Sequence, residues 1–514
     1  MVANHAYAPT VLYVAGALLL LQLLWYIYVN IRFAGEPPIV SGYIPFLGVA
    51  ADFAKDSVTF LKKCQARYGD VFTLIVAGKR MTFIMAPEDI PLVYKERKKL
   101  DFGGATLQIE LNAFGNNVVV SRKPDVEKLI HQWWRTGLLG KDPLSGLSAS
   151  VLKHLTEELR NALPLKKNEQ SPKCNLWDLL HPVIFNATTK TFYGSKNLDL
   201  EKLRQNFLEF DKSFPILAAG IPGSIAAPQA LKARDRMANQ LTNQSERKSE
   251  ACMVVRNRHD LFSNHAEMSD MDTGRAHGTL VWASQANTLP AAFWAVVHTH
   301  QDAHVIDALR KEISSVIRSK KGFESWKLGE ALPTFSVDDL KRMVRLESAS
   351  MEALRLASDS LSMRAVQESM SMKLNTGTYS FRKGDRVMIA PRTLHKDSDI
   401  YENPETYVWD RYLDVEDGAA EGGGQAEQKV RLKSRFSKGE NKSIPRTVAF
   451  MPFGGGVSMC PGRNMAMNEI KLLQILILTA YDVDIDAPPK LDLSRAGFGI
   501  LSPMGDCHVR FTKL

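Results

Sequence analysis

The chain has 514 residues, of which 45% are hydrophobic and 24% charged, and carries a formal net charge of +9. This composition excludes a disordered chain, and the length allows two average domains or one large one with room for an internal cavity. The positive balance suits an anionic lipid surface or an acidic protein partner; nucleic acid is set aside, because the basic residues are scattered and no nucleic-acid motif accompanies them. Five cysteines, Cys64, Cys174, Cys252, Cys460 and Cys507, are widely spaced and form neither a disulfide framework nor a zinc pattern, which points to a reducing compartment.

From Val11 to Val29 the sequence is apolar except for Gln22 and ends in the aromatics Trp25, Tyr26 and Tyr28. This is close to the lower limit for a bilayer-crossing helix with an interfacial belt. A cleaved signal peptide fits less well, since no Lys or Arg precedes the run and no small-residue cleavage site follows it. Arg32 follows the run, so the positive-inside rule leaves the remainder cytosolic. The reading is a single-pass anchor over residues 1–34, ahead of a catalytic domain over residues 35–514.

Gly35-Glu36-Pro37-Pro38 predicts a stiff, extended connector. Val71 to Val76 and Met81 to Met85 flank Gly78-Lys79-Arg80 and predict a hairpin, hence a small sheet near the start of the globular part. Apolar residues at three- and four-residue spacing then predict helices to about residue 355, with no repeat of solenoid length. The fold class expected is mainly α with small β-sheets.

Within Glu127 to Gly140, His131 and Arg135 stand one helical turn apart and could present two donors to an anion. The same stretch also reads as a solvated face beside two packed tryptophans, Trp133 and Trp134. Gly278 to Pro290 reads as a buried helix carrying Asn287, Thr288 and an internal proline; a proline break there could open a polar niche. The alternative is a core helix whose Asn and Thr satisfy backbone carbonyls. Glu352 and Arg355 face the same way on a helix and can pair, though such pairs are common. Arg364 leads into two strands, Ser371 to Leu374 and Tyr379 to Phe381, with a turn at Gly377, and could reach a carboxylate or face solvent.

After Asp410-Arg411-Tyr412 the chain turns acidic and glycine-rich from Asp414 to Glu427, then basic from Lys429 to Arg446. As a pattern, residues 414–446 form a charged, solvated loop; the functional alternative, for the basic stretch Lys429 to Arg446, is a docking surface for an acidic electron donor. Phe453-Gly-Gly-Gly-Val-Ser-Met-Cys-Pro-Gly462 comes next. Gly454 and Gly456 permit backbone conformations closed to other residues, Phe453 can pack beside the loop, and Gly462 precedes an apparent helix start. A cysteine held so can be the axial thiolate of a haem iron, pushing electron density to favour O–O cleavage, with N–H groups aimed at the sulfur tempering that push. The plain alternative is a glycine-rich turn with Cys460 an ordinary buried thiol.

In this order the motifs resemble the cytochrome P-450 superfamily over nearly the whole chain, except for the inserted, charged region. Gly35-Glu36-Pro37-Pro38, Trp282 to Thr288, Asp410 to Leu413 and Leu493 to Leu501 are similar to the branch holding cholesterol and oxysterol 7α-hydroxylases, sterol 12α-hydroxylase and prostacyclin synthase. The resemblance implies a cytochrome P-450 fold enclosing haem b, with Cys460 as proximal ligand and Phe453, Gly454 and Gly456 shaping its loop. It implies a structural network of Glu352, Arg355 and Arg411, and propionate contacts from Arg364. Arg135 is carried over as a second propionate contact although the usual Trp-to-Arg spacing of four is missing. Trp282, Ser360, Leu361 and Leu501 become candidates for the substrate pocket. It also implies an endoplasmic-reticulum membrane setting and electrons from NADPH through a reductase.

Two departures matter. Ser458 stands where many members carry a propionate-binding Arg or His, and Asn287 replaces the acid of the usual acid–alcohol pair while Thr288 keeps the alcohol. A monooxygenase must bring protons to dioxygen and release water, and a hydroxyl can organise the water that carries them. Within the branch, the 7α-hydroxylases keep Asn-Thr and prostacyclin synthase lacks the threonine. Thr288, with Asn287, therefore favours hydroxylation of a sterol, steroid or similar lipophilic substrate. The alternatives are a haem-thiolate isomerase of lipid endoperoxides or hydroperoxides, and a membrane-tethered sterol- or haem-binding protein without turnover.

Overall fold

Apolar spacing of three and four does become helix through most of residues 102–357, and the extended pieces collect in small sheets. The computed structural model describes residues 7–40, 42, 48–76, 78–242, 249–416, 429–439 and 442–514. The chain divides into two units: Met1–Ala105 with Leu361–Asp397 and Gly455–Val457, and Thr106–Ser360 with Ser398–Gly454 and Ser458–Leu514.

In the first unit Tyr7–Asn30 is helical. Among the described residues no helix is long and apolar enough to cross a membrane; the side chains of Val11, Leu12, Val14, Ala15, Leu18 and Leu19, on which the anchor expectation partly rests, lie outside them. The connector is more than a spacer. Glu36 is buried and accepts from Arg382 Nε at 2.5 Å and from Arg80 Nη2 at 3.2 Å. The same two arginines donate to the carbonyls of Tyr28 (3.1 Å), Val29 (2.8 Å) and Ile31 (2.5 Å), so they satisfy orphan groups at the helix C-terminus. Burial works to raise the Glu36 pKa, but the two guanidiniums and the Phe33 N–H outweigh it and hold the carboxyl low.

The predicted hairpin forms, Val71–Val76 against Lys79–Ile84 with Phe72 opposite Phe83, and Gly78 takes the left-handed φ of +72° that its turn requires. It belongs to a six-stranded sheet in the order Ile39–Val40, Val71–Val76, Lys79–Ile84, Arg386–Ile389, Ser362–Val366, Leu100–Asp101. Phe72, Leu74, Phe83, Met85 and Met388 form one core cluster with Leu61 and Cys64 of the helix Ser57–Tyr68. Burying side chains of this size supplies about 1.5–3 kcal/mol each. The second predicted pair runs Met370–Leu374 against Gly377–Phe381.

The second unit is built on the helix Thr288–Thr299, in which every residue but His298 is buried. It packs on Leu176–Tyr193, Val344–Ala357 and Arg463–Ala480. The stretch read as one helix is two: Asp270–Gln285 stops and Thr288–Thr299 begins after Ala286 and Asn287. Pro290 is the cause, since it has no N–H to offer the carbonyl four residues back, that of Ala286. Ser358–Ser360 pairs antiparallel with Phe498–Ile500 beside this break.

Part of the segment read as a charged loop is hairpin. Leu413–Glu416 pairs with Lys429–Leu432, and Arg435–Lys438 with Lys442–Pro445. Lys429-Val430-Arg431-Leu432 alternates charged and apolar, a strand's period of two. Residues 417–428 and 440–441 lie outside the described residues.

Candidate active site

The ligand loop is set up before it reaches its cysteine. In the second unit Tyr401 donates its hydroxyl to the Ala449 carbonyl at 2.9 Å, at the end of the short helix Arg446–Ala449 that leads into Phe453. Gly454 N–H then closes on Met451 O at 3.2 Å, with φ +69° at Gly454, and Cys460 N–H returns to Phe453 O at 3.0 Å. That last bond makes Phe453 the closing partner of the loop, a role its aromatic character did not reveal. Cys460 is exposed, yet the protein crowded around its sulfur raises the thiol pKa by desolvation. The nearby backbone N–H groups of Gly462 and Arg463 and the Arg463 charge pull the other way. These donors belong to the start of the helix Arg463–Ala480, whose dipole favours a negative sulfur.

In the first unit Arg364 lies mid-strand, opposite Val387. Its guanidinium donates to Met363 O at 2.8 Å and to Gly455 O at 3.3 Å, and sits over the rings of Tyr94 (5.0 Å) and Phe102 (5.2 Å). Gly455 has to be glycine, because a Cβ there would meet the Tyr94 ring at 2.4 Å; at Gly456, with φ +68°, it would meet Tyr94 Cβ at 2.9 Å. Thus Arg364 and Tyr94 both touch the chain a few residues ahead of Cys460. Ser458 ends a short 3₁₀ turn, Gly456–Ser458.

Glu352, Arg355 and Arg411 do come together. Glu352 and Arg355 are fully buried, and Arg355 forks onto the carboxylate through Nε and Nη2 at 2.8 Å each. Arg411 Nε adds a third bond at 2.8 Å and the Val408 N–H a fourth at 3.2 Å. The remaining donors reach Pro404 O (2.6 Å) and Glu402 O (2.6 Å), while both guanidiniums lie over the Tyr401 ring. Burial would lower the Arg355 pKa, but the hydrogen bonds and charge of Glu352 raise it overall. The network fixes residues 401–412 and, through Tyr401, the entry to the ligand loop. Tyr401 carries no sequence signal; only its position between two arginines reveals it.

At the helix break, Thr288 is buried at the first position of its helix. Asn287 Oδ1 accepts the Ile500 N–H at 2.9 Å, tying the break to the strand Phe498–Ile500. Trp282 stacks on Phe214 with ring centroids 4.1 Å apart and donates Nε1–H to Asp211 at 2.7 Å. Ser360 is half-buried and pairs with Phe498. Leu501 is fully buried, its N–H on Ala357 O at 2.9 Å and its carbonyl accepting Trp294 Nε1–H at 2.7 Å. Leu361 belongs instead to the first unit, against the cluster of Phe72 and Phe83. Arg135 stands exposed in the last turn of the helix Pro124–Leu138, and His131 is edge-on to Trp134 at 5.2 Å.

The model for the family described as cytochrome P-450 matches residues 37–507. The chain belongs to that family. As a P-450 it is an oxidoreductase. It is 33% identical to cytochrome P-450 7B1 of Mus musculus, over 96% of this chain and 94% of that protein. It is 32% identical to cytochrome P-450 7A1 of Rattus norvegicus, over 96% and 97%. A third relative is 7-alpha-hydroxycholest-4-en-3-one 12-alpha-hydroxylase of Homo sapiens, at 29% over 93% of each chain.

Haem is the group this family implies, and the donor set fits it. Cys460 is an exposed residue beside the start of the helix Arg463–Ala480, where the nearby Gly462 and Arg463 N–H groups and the Arg463 charge favour the thiolate form that a haem iron takes. A Cβ at position 462 would lie 3.8 Å from the sulfur, in ordinary van der Waals contact.

Proposed function

We propose that this P-450 is a haem-thiolate monooxygenase that hydroxylates a sterol, steroid or similar lipophilic substrate, using O2 and electrons from NADPH delivered by a reductase. The observation that carries the reading is the Asn287–Thr288 helix break, taken with a relative whose name describes sterol hydroxylation. Haem b, when bound, supplies the oxidising centre that places one oxygen atom of O2 on a carbon. Cys460 would hold it as thiolate, and the nearby Gly462 and Arg463 N–H groups would moderate the sulfur's electron donation.

The chain's own part in the reaction is proton handling and orientation. The Thr288 hydroxyl can donate and accept, and so can hold a water that passes a proton onward. Asn287 spends its oxygen on Ile500 and keeps its amide N–H groups to order that water. Glu352, Arg355 and Arg411 keep the ligand loop in place. Trp282, Ser360 and Leu501 would shape the lipophilic pocket.

Residues 1–34 would anchor the protein in the endoplasmic-reticulum membrane as a single pass, leaving residues 35–514 cytosolic, with the basic stretch Lys429 to Arg446 a surface on which an acidic reductase could dock. The test is a panel of sterols and lipid endoperoxides, incubated with and without reductase and NADPH, with products identified by mass spectrometry. Hydroxysterols formed only with both support the proposal. Endoperoxide turnover without either would replace it with an isomerase, and spectral shifts with sterols but no product would leave a binding protein.

A further inference from the structure

Arg495, in the second unit, is buried to 7% exposure, and its ion-pair partner Asp211 lies 284 residues earlier in the chain. Arg495 Nη1 donates to Asp211 Oδ2 at 2.5 Å and to the Ala286 carbonyl at 3.3 Å. That carbonyl is the one Pro290 leaves without a helical partner. The other Asp211 oxygen accepts Trp282 Nε1–H at 2.7 Å. One edge of the guanidinium is therefore spent. Its opposite edge, Nε and Nη2, is buried and has no hydrogen-bond partner among the described residues.

Leaving two charged-group donors unsatisfied in a buried place is costly, and native proteins avoid it unless something absent from the structure completes them. Nε–H and Nη2–H run nearly parallel, the edge with which arginine takes oxygen acceptors. The surroundings specify more. Trp282 lies 5.8 Å from the guanidinium carbon, Phe214 stacks on Trp282 at 4.1 Å, and Phe114 and Phe498 stand 5.3 Å from Trp282 and 5.6 Å from Phe214. These neighbours are flat and apolar. Because Asp211 already balances the arginine's charge, an anionic ligand would bring an uncompensated charge among aromatic rings. A neutral oxygen on an apolar skeleton adds none.

We propose that the free edge of Arg495 is a recognition site for one neutral oxygen, hydroxyl or ketone, at the end of the lipophilic substrate, with Asp211 and Trp282 as the residues that position it. This deepens the proposed function and rests on it: Trp282 and the segment Leu493 to Leu501 are where that reading puts the substrate.

The test uses the purified full-length holoenzyme and equilibrium dialysis of radiolabelled probes: a sterol hydrocarbon (cholestene), its ring-hydroxyl form (cholesterol) and its side-chain-hydroxyl form. Wild type should bind one of the hydroxylated probes about 10- to 100-fold more tightly than the hydrocarbon, the range expected of hydrogen bonds to a charged group. Arg495→Gln should erase that ratio while hydrocarbon affinity stays within about 2-fold. Arg495→Lys keeps a cation for Asp211 but lacks the paired edge, so it should erase the ratio as well, and it is the deciding variant if Arg495→Gln fails to incorporate haem. A wild-type protein that does not discriminate, or a folded Arg495 variant that keeps the wild-type ratio, overturns the proposal. If sterols are hydroxylated in that case, only this inference falls; if wild type neither binds nor hydroxylates any sterol, the proposed function falls with it.

Discussion

The Asn287 side-chain oxygen accepts the Ile500 backbone N–H at 2.9 Å, so the residue that replaces the usual acid beside Thr288 is first of all a tie between a broken helix and a strand. Removing it strands a buried N–H, for Ile500 is only 4% exposed. Asn287→Ala should cost about 1–3 kcal/mol, whereas Asn287→Asp keeps the acceptor and should stay within about 1 kcal/mol of wild type. Thermal unfolding of the holoprotein checks this; equal losses in the two variants would mean that the tie is not what Asn287 contributes to stability.

Gly499 provides the room for that bond. A Cβ at this position would lie 1.9 Å from Asn287 Oδ1, and φ is +141°. Gly499→Ala should therefore lower stability by about 1–3 kcal/mol and displace Asn287. Combined with Asn287→Ala, which removes the clashing oxygen, it should cost less than the sum of the single changes, as expected for residues in contact. Strict additivity in denaturant unfolding would count against the contact.

Glu352 is a carboxylate on which two buried arginines depend. Glu352→Gln leaves both guanidiniums without their counter-charge, a loss of about 3–5 kcal/mol for a broken buried pair. Since Tyr401 couples this network to Ala449, haem bound per polypeptide should fall with it. Full haem content with less than about 1 kcal/mol of destabilisation would show that the network does not support the ligand loop.

Glu469 introduces a pH dependence. It is buried on the helix Arg463–Ala480, and desolvation raises its pKa to about 8, with the Thr188 hydroxyl opposing. Thr188 has one proton to give and also bonds the Ile184 carbonyl at 2.9 Å. The same hydroxyl donates to the Glu469 carboxyl, which is why it opposes the rise. The folded pKa exceeds the unfolded one, so between pH 4.5 and about 8 the unfolded chain has lost a proton that the native chain keeps. Stability from this group is fully present below pH 4.5 and is lost as pH rises to about 8. At about 1.4 kcal/mol per unit the effect is a few kcal/mol. Glu469→Gln should flatten the stability–pH curve over that window and be the more stable protein above it; parallel curves for the two proteins would contradict the assignment.

What was legible in the sequence was local. The hairpin of Val71–Val76 and Lys79–Ile84 and the Glu352–Arg355 pair rest on turn residues, alternation and helical spacing, and they stand where those signals put them. Pro290 announced a break but not its place, because the bond a proline deletes lies four residues upstream, at Ala286. The hairpins within residues 413–445 were hidden by charge: alternation in Lys429 to Leu432 was present, but the density of lysine and arginine read as solvation. Nothing local links Asp211 to Arg495 or Tyr401 to Ala449, and Arg364 gains its partners only when its strand pairs with Arg386–Ile389. Such contacts depend on the tertiary fold, which spacing along the chain does not encode.

The most direct measurement is the source of the oxygen in the product. The holoenzyme is given a sterol, reductase and NADPH under isotopically heavy dioxygen, and the product is weighed by mass spectrometry. A hydroxysterol carrying one heavy oxygen atom, formed by wild type and not by Cys460→Ala, is the predicted result. Product without heavy oxygen, or turnover that needs neither NADPH nor Cys460, would contradict a haem-thiolate monooxygenase.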